Sequence, residues 1–349
     1  MRRLTGRPAC GSQGAEKPKK EREPFVPKSD IHLFDFGRRK LERYSFLLSA
    51  MYRRSDDILE NECLCGSSKL TKYCCARPEG IIFKRPILLK EPEYHAEGSN
   101  KKCLFSYRRS CSPKITREHY ISQSVLRLLN NVGLKNLKVS GLRASSEFKS
   151  IAIRNLTAKI LCKTHNSMFS RLDGEIARFA KAIQSHFEFG EDKEYLFCGH
   201  DIERWLFKVA MGMYFGKIFD APFDDRFLRS RSFLDCMIVP VAGNKVGGRY
   251  VAKLGEYIEL DYVEFSVQSW NLKRTGNFCG ITFCFFGIPL TLFFHGDKSI
   301  ERGAKILNSQ FRPHVLILNG HHKTTRIWLS WHGTTMGPGV EIGHKASKK

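Results

Sequence analysis

The chain has 349 residues, 42% of them hydrophobic, and sets 58 Lys and Arg against 35 Asp and Glu for a formal charge of +23. Enough apolar side chains are present to bury a normal core, which excludes a wholly disordered chain, and the length fits two or three domains. The longest apolar run, Ile281 to Phe294, is interrupted by Gly287 and Pro289 and is shorter than the roughly 20 residues that cross a bilayer.

That run reads as one or two buried strands. With no basic segment followed by an apolar one at the start, the expectation is a soluble, cytoplasmic protein whose 12 cysteines are reduced or metal-bound. A positive surface of this size attracts polyanions and makes phosphate contacts that release counterions. Nucleic acid is the expected partner, DNA before RNA; anionic lipid or an acidic protein are the other classes that charge alone leaves open, and no membrane span is expected.

Residues 1–29 scatter Arg2, Arg3, Arg7, Lys17, Lys19 and Lys20 among Gly, Pro and Ser without apolar periodicity, the composition of a disordered basic arm. From Phe36, the residues Leu41, Tyr44, Leu47, Leu48 and Met51 recur at helical spacing, so residues 30–76 are read as an amphipathic helix leading into a cysteine motif. In that motif Cys63 and Cys65 are separated from Cys74 and Cys75 by a Gly66-Ser67 turn. Four thiols so close can close a zinc knuckle, the metal replacing a core too small to stand alone. The Cys-x-Cys-Gly-Ser start and Cys-Cys end resemble the SEC-C motif found at the tail of the preprotein translocase ATPase. The resemblance implies a structural zinc and a protein-docking surface, not an activity; Lys69 and Lys72 make phosphate or acidic-protein contact an equal reading.

Prolines 78, 86 and 92 with Gly80 and Gly98 mark residues 77–100 as a linker. The central domain, 101–220, carries Cys103, Cys111, Cys162 and His165, three thiolates and one imidazole that suit a second closed, tetrahedral zinc site. Between them, Ser122 is placed to cap a helix carrying Val125, Leu126 and Leu129, and Leu137–Leu142 and Ile151–Leu161 read as strands. After Asn166, Met168, Phe169, Leu172, Ile176, Phe179 and Ile183 follow helical spacing, and a second helix spans about Asp201 to Lys217.

The Cys pair, the Glu118-His119-Tyr120-Ile121 segment and the Cys162-Lys163-Thr164-His165-Asn166 turn before a helix resemble the HNH endonucleases, over about a fifth of the chain. The resemblance implies a ββα-metal centre in which His119 is the general base and Asn166 helps to hold a divalent metal (Mg2+, Mn2+ or Zn2+) or the His. Glu118 and Asp173 are the further candidate site residues. The chain departs from the family pattern in the seven residues between Cys103 and Cys111 and in Ser122 where a proline is usual.

From Ala221 the sequence changes to short aromatic and β-branched runs at Tyr250–Ala252, Tyr257–Leu260, Val263–Val267, Ile281–Phe286 and Ile288–Phe294, the spacing of a sandwich or barrel. Val246-Gly247-Gly248-Arg249 reads as a turn, and Cys198, Cys236, Cys279 and Cys284 as core. Residues 221–337 are taken as a β-rich recognition or assembly domain and 338–349 as a loose basic tail. The expected whole is an α+β zinc protein acting as a metal-dependent endonuclease on DNA or RNA, with a non-catalytic zinc adaptor that docks on protein or ribosomal RNA as the alternative.

Overall fold

The computed structural model describes residues 59–77, 82–90, 92, 100–131, 135–140, 149–188, 190–219, 230–238, 247–251, 265–271, 277–294, 309–320, 323–332 and 340–343. The expected basic arm, the helix from Phe36 and the strand at Tyr257–Leu260 lie outside the described residues.

The described part is mixed α and β. Strand β1 (Ile115–His119) pairs antiparallel with β4 (Thr157–Cys162), with a bulge between Thr116 and Glu118. Between the two in sequence come helix α2 (Gln123–Asn131) and strands β2 (Asn136–Ser140) and β3 (Lys149–Ala152), after the short α1 (Thr71–Cys74) of the cysteine motif. The stretch expected as one strand, Ile151–Leu161, is two, because a 3-10 turn at Ile153–Asn155 separates β3 from β4. Ser122 precedes α2, but its hydroxyl is buried without a partner; the Ser122 carbonyl, accepting from Leu126 N–H, begins the helix instead. Helices α3 (Lys163–Met168) and α4 (Ser170–Gln184) follow β4 directly, meeting at Phe169.

A seven-stranded sheet runs β10-β6-β9-β8-β7-β2-β3, where β6 is Gly247–Val251, β7 Phe265–Asn271, β8 Phe278–Phe285, β9 Ile288–Phe293 and β10 Ser309–Phe311. The apolar run expected as buried strands is the β8–β9 hairpin, turned at Phe286 and Gly287 with φ of 49° and 82°, the left-handed pair that a two-residue hairpin loop requires. Gly247 to Arg249, expected in a turn, are in β6, paired with β9. A four-stranded sheet runs β13-β11-β12-β5, with β5 at Lys193–Cys198, β11 at Val315–Asn319, β12 at Thr324–Ser330 and β13 at Val340–Gly343, so the expected tail begins as a strand. Neither sheet closes into a barrel: each ends in edge strands. Both sheets combine strands from either side of Ala221, because β2 pairs with β7 and β5 with β12.

Helix α5 (Gly199–Phe215) touches both sheets and β4, and every residue from Gly199 to Met213 is buried. Its apolar residues face every way, as a helix enclosed on all sides demands. Trp205 packs on Phe283 and Phe285 at ring distances of 5.4 and 5.7 Å, and Phe179 of α4 joins Phe197 of β5 to Phe285 of β8. The charged residues of α5 are each paired: Arg204 with Asp201, Glu203 with Arg312, Lys208 with Asp173. Ile82 to Lys90, in the expected linker, packs on this core through Ile87 and Leu89. It is tied down by Lys84 to Glu175, by Ile87 N–H to Asp201, and by Arg204 and Arg171 to the carbonyls of Ile87 and Leu88.

Candidate functional site

The first cysteine group is held by a tight loop. Cys63 N–H donates to Lys69 O, Gly66 N–H to Cys63 O, and Gly66 and Ser68 take positive φ, before α1 presents Cys74 and Cys75. The four sulfurs lie within 4.8 Å of one another, Cys65 to Cys74 at 3.4 Å and Cys74 to Cys75 at 3.8 Å. Four ligands at about 2.3 Å from a tetrahedral zinc stand about 3.8 Å apart, so the donors fit such an ion. Cys65 is pushed down to about 3, first by the hydrogen bond from Cys75 and against the cost of burial, while that same bond pushes Cys75 up. One sulfur thus holds its charge at its neighbour's expense; four together ionise only around a cation. The knuckle rests on the protein body: Leu196 N–H donates to Leu64 O at 3.0 Å, and Arg178, donating to Leu196 O at 2.7 Å, passes beside Gly66.

The second group comes from three places in the chain. Cys103 and Cys111 flank a turn at Ser106–Arg108, Cys162 ends β4, and His165 is one turn into α3, whose N-cap is Cys162. All four side chains are buried, and His165 Nδ1 lies 3.5, 3.5 and 3.2 Å from the sulfurs of Cys103, Cys111 and Cys162. Those are the edges of a tetrahedron with Nδ1 at one corner. The other ring nitrogen, Nε2, is 3.1 Å from Ser110 Oγ, so with Nδ1 a ligand, Nε2 carries the proton and donates it to the serine. Burial, helped by the Arg108 charge, pushes His165 down to about 4 and keeps it in the neutral, ligating form. Burial pushes Cys103 and Cys111 up and acts likewise on Cys162, which ends below its ordinary value because the backbone N–H groups of His165 and Ser112 favour its thiolate. Zinc here would cross-link β4 and α3 to the Cys103–Cys111 turn; with no ligand position left open, its role is structural.

Fixed in this way, β1, β4 and α3 bring Glu118 and Asn166 together. Asn166 Nδ2 donates to Glu118 Oε2 at 2.5 Å. Lys208, reaching from α5, places its ammonium 2.7 and 3.0 Å from the two oxygens of Asp173 and 3.8 Å from Glu118 Oε1. Asp173, in the first turn of α4, is therefore not the solvated carboxylate its helix position suggests. Burial raises both Glu118 and Asp173 above the usual carboxylate range, opposed in each by the Lys208 charge. His119, at the end of β1, is half-buried, with Nδ1 buried and unpartnered; Asn166 Oδ1 is likewise buried without a partner. This approach of α5 to β1 depends on Gly212, one turn after Lys208: a methyl there would overlap Cβ and Cγ of Tyr120.

The sequence-predicted zinc ligands form the two groups able to hold a metal; among the described residues no other cluster of three His, Cys, Asp or Glu does so. The divalent ion that the HNH resemblance implies at Asn166 does not fit beside Glu118 and Asp173 as arranged, because a lysine ammonium already faces both carboxylates. Cys198, Cys236, Cys279 and Cys284 are buried core residues, as expected. Lys208 and Ser110 were not singled out from sequence. The one available signal for Lys208 was a cation in a helix with apolar residues on every face; for Ser110, a hydroxyl next to a ligand cysteine. The chain matches no protein-family model, no curated protein and no solved structure, so neither the HNH nor the SEC-C resemblance gains support from a family match.

Proposed function

We propose that the protein is an endonuclease that hydrolyses phosphodiester bonds in nucleic acid, DNA before RNA, with His119 as general base. The observation that carries this reading is the meeting of Glu118, next to His119 in sequence, and Asn166 on the same β1–β4–α3 unit that supplies Cys162 and His165 to the Cys3His group. His119 Nδ1 is buried without a partner, so this reading assigns the uptake of a proton from water to Nε2. The hydroxide formed attacks phosphorus, and the bond to the leaving oxygen breaks as that oxygen takes a proton from solvent. Glu118, fixed by Asn166, orders the centre. Exposed Arg109, Lys114, Arg117, Lys159 and Lys163 on and beside the same unit suit a phosphate backbone. Imidazole is suited to the base role because its pKa lies near working pH.

One observation favours the adaptor reading: on the first knuckle Tyr73 is 75% exposed, with the Lys72 ammonium over its ring, a surface fit for docking on another macromolecule. The decisive experiment uses supercoiled plasmid with the zinc-loaded protein, with and without Mg2+ or Mn2+. His119→Ala should keep its zinc and its fold, since His119 is in neither metal group, and lose about a hundred- to ten-thousand-fold in cleavage rate. A His119→Ala variant that folds and cleaves as wild type removes the nuclease reading and leaves the adaptor.

A further inference from the structure

We propose that Lys208 is the resident cation of the Glu118–Asp173 centre, and that in this protein its ammonium takes the place a divalent metal ion would otherwise occupy. Asp173 presents both Oδ1 and Oδ2 to Lys208 Nζ, at 3.0 and 2.7 Å. Glu118 turns Oε1 towards the same ammonium at 3.8 Å and gives Oε2 to the amide of Asn166. Each carboxylate oxygen thus already faces a protein donor. A magnesium or manganese ion bound to these carboxylates would have to displace the Lys208 ammonium or sit against its charge.

Lys208 is not a surface lysine folded in by chance. It is 2% exposed, on a helix buried along its length, one turn before the glycine that lets Tyr120 cross that helix. The partners are fixed as well: the Asp173 N–H is bonded to Phe169 O, its carbonyl accepts from Ser124 Oγ, and Glu118 lies in a paired strand. A buried ammonium stays charged only where anions neutralise it, and each of the two carboxylates that face it is favoured in its ionised form by that cation. The lysine and the acids therefore require one another, and the cation is supplied by the chain rather than by the solution. Lys208 holds the acids in place without facing a substrate, so it is a positioning residue.

The test is Mn2+ binding to the full-length, zinc-loaded protein, followed by electron paramagnetic resonance. Wild type should bind no Mn2+ that depends on Asp173, and should match Asp173→Asn up to millimolar Mn2+. Lys208→Ala, which removes the ammonium and opens space between the acids, should bind one Mn2+ at least about a hundredfold tighter than wild type. Glu118→Gln or Asp173→Asn in that background should abolish the new site, and Lys208→Arg should not create it. A wild-type Mn2+ site lost in Asp173→Asn overturns the proposal, as does a folded Lys208→Ala that gains none; if Lys208→Ala does not fold, the wild-type comparison alone decides. The nuclease reading is separable: a wild type that leaves plasmid intact under every metal condition sinks that reading, while the Mn2+ result still settles the role of Lys208.

Discussion

At His165 a single ring carries two jobs on its two nitrogens. Nδ1 faces three sulfurs and Nε2 faces Ser110 Oγ, so the serine decides which tautomer the imidazole adopts. Outer partners of this kind typically carry about ten- to a hundredfold in metal affinity. Ser110→Ala should therefore retain close to two zinc per chain at saturation yet lose zinc from the second group about tenfold more readily in a chelator competition, with the first group unchanged. Equal zinc retention in the two proteins would mean that the backbone alone orients the ring. Lys208 is the contrasting case. Truncating one partner of a buried ion pair leaves the other charge stranded at a cost of about 3–5 kcal/mol, whereas loss of the serine leaves a neutral imidazole N–H without its partner, at about 1–3 kcal/mol. The zinc ligands were legible in the sequence because thiolates and imidazole at short separations have few other uses. Lys208 was not, because a cation in an all-round apolar helix marks burial without naming the two carboxylates, distant in sequence, that it meets.

At the scale of elements, the centre depends on how closely α5 approaches β1. Gly212 sets that distance, since any side chain there meets Tyr120. Gly212→Ala should push β1 off the helix and cost about 1–3 kcal/mol or more, the usual range for overpacking. It should also draw Glu118 away from Lys208, so that thermal unfolding shifts down and any plasmid cleavage falls with it; an unchanged melting temperature would show that the contact yields cheaply. Sequence periodicity found most of the elements around this contact: α2, α4, α5 and the β8–β9 hairpin all fall on the expected apolar spacing. It did not find that β2, besides pairing with β3, pairs with β7, or that β5 pairs with β12. Those are pairings between segments more than a hundred residues apart, and alternation within a strand carries no information about its partner. The same limit explains Gly247 and Gly248, whose composition says turn while pairing with β9 makes them strand.

For the whole molecule the charge of +23 is the dominant fact. Binding to nonspecific duplex DNA should weaken steeply with salt, each neutralised phosphate adding about 0.9 to the slope of log affinity against log salt. Deleting residues 1–29 should lower that slope without abolishing binding, and a flat response between low and physiological salt would assign the charge to another partner. The first knuckle has a different meaning at this scale. It lies against β5, the edge strand of the four-stranded sheet, with Leu64 O accepting from Leu196 N–H. An uncovered edge is a template for a neighbouring chain. The cysteine loop therefore covers part of that edge, and anything that opened the loop would leave the Leu196 N–H exposed to a second chain.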